Sequence, residues 1–145
     1  MAITSAICSS FKQELLQGKH NFASSGGDTF KIALFTSDAS LGASTTAYST
    51  SNEISNTSGS SYSAGGATLT SVTPALDGTT AVCDFSDVSY TSASFTANGA
   101  LIYNDTQSDK AVAVIAFGGD KTVSSGTFTI QFPAADASNA IIRIA

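Results

Sequence analysis

The stretch "AFGGDKTVSSGTFTIQF", residues 116 to 132, is the place in this chain that looks most like a phosphate cradle, with a glycine pair followed by Asp120, Lys121 and Thr122. A Walker loop requires GxxxxGK followed by Ser or Thr, with its lysine at a helix N-terminus, and "FGGDKT" has neither the spacing nor a helix-like continuation. No GxGxxG opens a helix after a strand, so the dinucleotide fingerprint is missing as well. Gly118 and Gly119 permit positive φ, and Asp120 can bond its own nearby backbone. With apolar alternation on either side, the stretch predicts a hairpin connection and no nucleotide site.

Nucleophilic catalysis needs an activating base, and His20 is the only histidine. It stands in "GKHNF", where an exposed or capping role is expected, and no serine occupies a GxSxG elbow. Cys8 and Cys83 form no CxxC pair and lie far apart in sequence, which predicts buried free thiols. One histidine and two distant cysteines cannot close a zinc site without carboxylates, and EF-hand spacing is absent. Asp84 and Asp87, or Asp105 and Asp109, have oxygens to offer a calcium ion, but such residues more often hold turns. Paired carboxylates for glycoside cleavage meet only through the fold, and the chain has no tryptophan to serve as a sugar platform. The reading is therefore non-enzymatic, with no catalytic, cofactor-binding or metal residue assigned.

The balance of charge narrows the partners. Six basic residues are scattered along 145 positions and the formal net charge is -5, which leaves no cationic stripe for nucleic acid. Charged residues make up only 12%, against roughly a quarter in ordinary soluble domains, and Ser and Thr take their place. A surface with so little charge loses little hydration when another protein covers it. The opening "MAITSAICSSFKQELLQ" lacks the charged n-region and apolar run of a secretory signal, and no stretch has the apolar length of a membrane span. The expectation is synthesis and folding in the cytoplasm, with no membrane partner. "NTS" at Asn56 and "NDT" at Asn104 match the glycosylation pattern, as chance allows in a chain this rich in Ser and Thr.

The elements are expected to form one domain, residues 1–145, with a single core. Ile3, Ile7, Phe11 and Leu15 recur every four positions, which predicts an N-terminal helix over about 3–17, started by Thr4 or Ser5 and ended by Gly18. Its apolar stripe has two uses: covering a sheet of its own subunit, the commoner arrangement, or packing on a neighbouring subunit. Beyond residue 28 the period becomes two. "TFKIALFT" is followed by "GATLTSVT" (66–73), "TAVCDFS" (80–86), "SFTANGALIYN" (94–104), "KAVAVIAF" (110–117), "GTFTIQF" (126–132) and "NAIIRIA" (139–145). Short strands with turn signals between them and one helix predict a mainly β chain, an antiparallel β-sandwich or jelly-roll-like barrel with a β core at 28–36 and 66–145.

Between these parts lies a long polar loop or arm, about 37–66, whose larger apolar residues are Leu41, Tyr48, Ile54 and Tyr62. So long a connection is either a segment that orders on a partner or a surface loop. Large apolar side chains standing in polar sequence mark contact candidates, here Leu41, Tyr48, Ile54 and Tyr62 together with Phe11 and Leu15 of the helix. For the helix residues, core packing is the competing role.

The segments "AITSAICSSFKQELLQGKHNF", "GDTFKIALFTSDASLGASTTAYSTSNE" and "DKAVAVIAFGGDKTVSSGTFTIQFPAADASNAIIRIA" resemble a family of small proteins encoded with the virion structural genes of tailed bacteriophages. The resemblance runs nearly end to end and is one of text rather than of a catalytic motif. It implies a part of a phage particle. Among such parts a β-rich chain of this size is similar in kind to capsid cement or decoration proteins, which bind the major capsid protein on the outside of the head, often as trimers. The same setting also admits a tail, neck, baseplate or small fibre component. A carbohydrate-binding or hydrolytic domain is the reading from outside that setting.

Overall fold

The computed structural model describes residues 2–54 and 62–145. In chain order the elements are β1 (Ala6–Ile7), α1 (Ser9–Leu16), β2 (Phe30–Phe35), β3 (Ala67–Thr68), β4 (Ser71–Asp77), β5 (Thr80–Phe85), β6 (Val88–Asn104), β7 (Lys110–Ile130) and β8 (Ile142–Ile144). They build two antiparallel sheets, one ordered β1-β7-β6-β2-β3 and the other β4-β5-β8. The chain is thus mainly β with one short helix, sandwich-like, and its sheets do not close into a barrel.

The larger sheet is organised by β6. Its second half pairs β2 from Phe30↔Asn104 to Phe35↔Gly99, and along its length it pairs β7. Phe30, Ile32, Leu34, Leu101, Ile102 and Val112 are all fully buried, as expected of strands covered on both faces. Each such side chain contributes about 1.5–3 kcal/mol of burial. The two sheets meet through an aromatic column: Phe22 stacks on Phe30 with ring centroids 4.3 Å apart, Phe30 lies 5.7 Å from Phe85 of the smaller sheet, and Phe85 lies 6.0 Å from Phe132.

Two expectations are corrected. The helix does not span 3–17. It begins at Ser9, because Ala6 and Ile7 pair with Val114 and Ala113, and Ile3 bridges to Leu41. A strand edge on β7 outbids helical period here, and the Ser5 hydroxyl, expected near a helix cap, instead accepts from Ala116 N–H at 2.8 Å. Gly18 does end the helical region in the left-handed conformation (φ 70°).

The second correction concerns Gly118 and Gly119, which make no hairpin. The strands expected at 110–117 and 126–132 are one strand, β7, and the glycines form a bulge inside it. The register runs from Gly99↔Ala116 to Ala97↔Lys121, so Asn98 faces the four residues 117–120. Asn98 Nδ2 donates to Asp120 Oδ1 at 2.9 Å and pins the excursion. The glycines supply the φ values of 79° and 148° that a side chain would resist. The true hairpin turn lies at 105–109, between the paired residues Asn104 and Lys110.

Candidate functional site

Strand β7 curls. Its bulge lets the two ends of the strand approach, so that Phe117 and Phe128, eleven positions apart, have ring centroids 6.0 Å from each other. The curl encloses a cleft of about 790 Å³, lined by residues 5–7, 113–115, 117, 121, 128–133 and 140–141. Phe117, Phe128 and Phe132 with Ile7, Ile115 and Ile141 make most of its wall, and Lys121 is its single charged residue.

The way the cleft is lined shows what it presents. A groove on the face of a sheet is lined by alternate residues, because successive side chains point to opposite faces. Here Phe128, Thr129 and Ile130 all contribute, followed by 131–133 beyond the strand, so the cleft meets the outer edge of β7 at its last residues. That edge is open. On its inner side β7 pairs β6 with register shifts at its bulges, whereas its outer side pairs β1 at Ala113 and Val114 and bridges to Ala47 at Lys110. Among the described residues, no strand or bridge takes the outer side from Lys121 to Ile130. An open edge is a template for another strand.

A second exposed apolar region belongs to the smaller sheet. Leu76 and Ile144 lie opposite Ala81 from either side and are 73% and 58% exposed. Leu16, at the end of α1, is 92% exposed.

The six residues expected at an interface have these places. Phe11, Ile54 and Tyr62 are buried in this chain's own core, and Leu15, Leu41 and Tyr48 are half-buried and packed against it. None lines the cleft of β7. Phe11 lies with its ring centroid 4.8 Å from His20 and 5.9 Å from Phe22, so the helix covers its own subunit. Tyr62 donates its hydroxyl proton to Glu53 Oε2 and accepts from Leu34 N–H at 3.0 Å. Tyr48 donates to Glu53 Oε1 at 2.6 Å and stacks on Tyr103. Residues 37–54 of the long loop are bound to the body by Thr36 N–H to Asn52 O, Ile54 N–H to Leu34 O and Tyr48 N–H to Asp109 O. Residues 55–61 lie outside the described part, including the Asn56 glycosylation match.

His20 is buried, not exposed. Its Nε2 faces Glu14 Oε1 at 2.9 Å and its Nδ1 faces Asn104 Nδ2 at 3.0 Å. Asn104 Oδ1 accepts from the N–H groups of Thr106 and Gln107, and Nδ2 also donates to Asp28 Oδ2 at 2.8 Å. The amide orientation is therefore fixed, His20 Nδ1 must accept, and the imidazole carries its proton on Nε2, donating to Glu14. This network ties α1 and the 19–29 loop to the hairpin turn.

Asp136 holds a turn, its Oδ1 accepting from Ser138 and Asn139 N–H, whereas Asp87 Oδ1 accepts from Phe132 N–H, 45 positions on, and ties two segments together. Asp109 has its carboxyl pushed up by burial and by the nearby Asp105. Among the described residues no three of His, Cys, Asp and Glu gather closely enough to hold a metal ion. Cys8 and Cys83 are free and buried, and burial raises their thiols to about 11 and about 12. No helix among the described residues is long and apolar enough to cross a membrane.

Sequence reasoning missed the cleft because its walls come from separate segments and carry no motif. The available signal was the density of Phe and Ile in 128–142. Compared with known proteins, the chain matches no protein family, no curated protein and no solved structure.

Proposed function

We propose that this chain is a non-enzymatic structural subunit of a tailed-bacteriophage particle, a cement or decoration protein that binds the major capsid protein on the outside of the head. The resemblance of the three quoted segments supplies the setting. The observation that carries the docking role is the outer edge of β7, which no strand takes from Lys121 to Ile130 among the described residues and which meets an apolar cleft at Lys121 and at Phe128–Ile130. Such an edge combines unpaired backbone groups with apolar side chains, the two things a covering protein supplies. Repetition over a lattice, and association of the subunit with itself as a trimer, turn modest single contacts into firm attachment.

The test is stoichiometric. Purified protein is mixed with expanded heads that lack it, the heads are sedimented, and bound copies are counted per major capsid subunit. Saturation at a fixed lattice ratio is the expected result. A handful of copies per particle would move the chain to the tail, neck, baseplate or a fibre, and no binding to any particle part would overturn the phage setting.

A further inference from the structure

We infer that the cleft of β7 is a slot for one added strand, and that its occupant is an extended segment of a partner protein, alternating apolar and small polar residues and neutral or acidic in charge. The inference deepens the docking role proposed above and rests on it. Three observations point to this occupant.

The first is the open edge. Strand addition draws its affinity from main-chain hydrogen bonds and its selectivity from pockets that take alternate side chains. Between Lys121 and Ile130 the outer side of β7 offers the bonds, and the cleft, which meets this edge at Lys121 and at Phe128–Ile130, offers the pockets. The second is β1. Ala6 and Ile7 already pair antiparallel with Val114 and Ala113 on that same outer side, so the chain itself uses this mode of attachment. The N-terminal segment then leaves, since Ile3 bridges to Leu41, and the edge beyond Ala116 is left to another chain.

The third is charge. Lys121 is the only charged residue lining the cleft and makes no ion pair among the described residues. In a chain of net charge -5 an isolated cation beside an apolar slot selects against basic segments.

The test uses the full chain and a displayed library of random ten-residue peptides. Enriched peptides are synthesised and their affinity measured by fluorescence anisotropy, with amide exchange of the protein followed in the free and bound states. Enrichment of alternating sequences carrying Asp or Glu is expected, with protection appearing on residues 121–130. Lys121→Glu should weaken an acidic winner about five-fold, a modest surface charge effect, and should shift a repeated selection toward Lys or Arg. That exchange of preference reads charge at the slot independently of stability. No enrichment, peptides with helical period, or protection elsewhere would overturn the inference. A chain that self-associates in sedimentation with residues 121–130 already protected would give the slot to a second copy, also against it. A failed peptide selection alongside saturating binding to heads would sink the slot and leave the docking role standing.

Discussion

Tyr62 offers the sharpest test of how the long loop is used. If it were a contact residue, alanine there would weaken docking and leave the isolated fold intact. The structure makes the opposite demand. Its ring is fully buried, with centroids 5.5 Å from Tyr90 and 6.0 Å from Phe95, and its hydroxyl joins the Glu53 carboxylate to Leu34 N–H. Tyr62→Phe removes a hydrogen bond to a charged group and strands a buried donor, which together cost about 3 kcal/mol. In a chain of this size that lowers Tm by roughly 6–12 °C. Tyr62→Ala also empties the ring's volume and should cost about 5 kcal/mol, comparable with the whole stability of many domains. Urea unfolding followed by circular dichroism measures both. A double-mutant cycle with Glu53→Gln should give a coupling of about 1–3 kcal/mol. If Tyr62→Ala unfolds within about 0.5 kcal/mol of the parent chain, the ring is not in the core and the reasoning fails.

Further outcomes follow from other places in the fold. Gly66 has φ 81°, and a Cβ there would stand 1.9 Å from Ile32 O, so Gly66→Ala should destabilise by roughly 3 kcal/mol or prevent folding, as thermal melts would show. Both thiols are buried and raised, so Cys8 and Cys83 should resist an aromatic disulfide reagent at pH 8 and react together once the chain is unfolded in urea. The same shifts make the fold sensitive to alkali. The folded thiols hold their protons to about 11 and about 12 while the unfolded ones begin to lose theirs near 9. Stability is whole below the unfolded value and falls as pH rises toward the folded values, by about 1.4 kcal/mol per pH unit for each thiol. Tyr62, raised chiefly by burial, steepens the loss above pH 10, and a flat stability curve from pH 9 to 11 would contradict the placement of these groups. Nitrogen NMR of His20 should report the proton on Nε2, held there by the Glu14 carboxylate on one side and the Asn104 amide on the other.

What could be read from the sequence follows from how each signal arises. Alternation in Phe30, Ile32 and Leu34 is a local consequence of the pleat, so the strands and the mainly β class were legible. The extent of β7 was not, because a glycine pair followed by Asp is equally the chemistry of a turn and of a bulge, and only pairing with β6 decides between them. Ile3 and Ile7 carry a four-residue spacing that both a helix and an irregular edge segment accept. The loop residues Ile54 and Tyr62 stand alone in polar sequence, yet a lone large side chain is as well suited to anchor a loop in the core as to meet a partner. Of the candidate contact residues, Leu41 and Tyr48 are half-buried, and the open slot lies elsewhere, in strands whose apolar residues gave no sign that one edge lacked a neighbour.

The pairing of β2 with β6 sets the order in which the chain can become safe on the ribosome. Phe30–Phe35 emerges well before its partner, 99–104, which follows some seventy residues later. The β6–β7 hairpin closes across only five turn residues, so it zips quickly once made, while β2 must wait for it. Until about residue 130 has been synthesised, "FKIALF" stands without a sheet to join. A ribosome stalled or terminated before that point releases a sticky strand, and such truncated chains are expected to aggregate or be captured by chaperones rather than accumulate as soluble fragments.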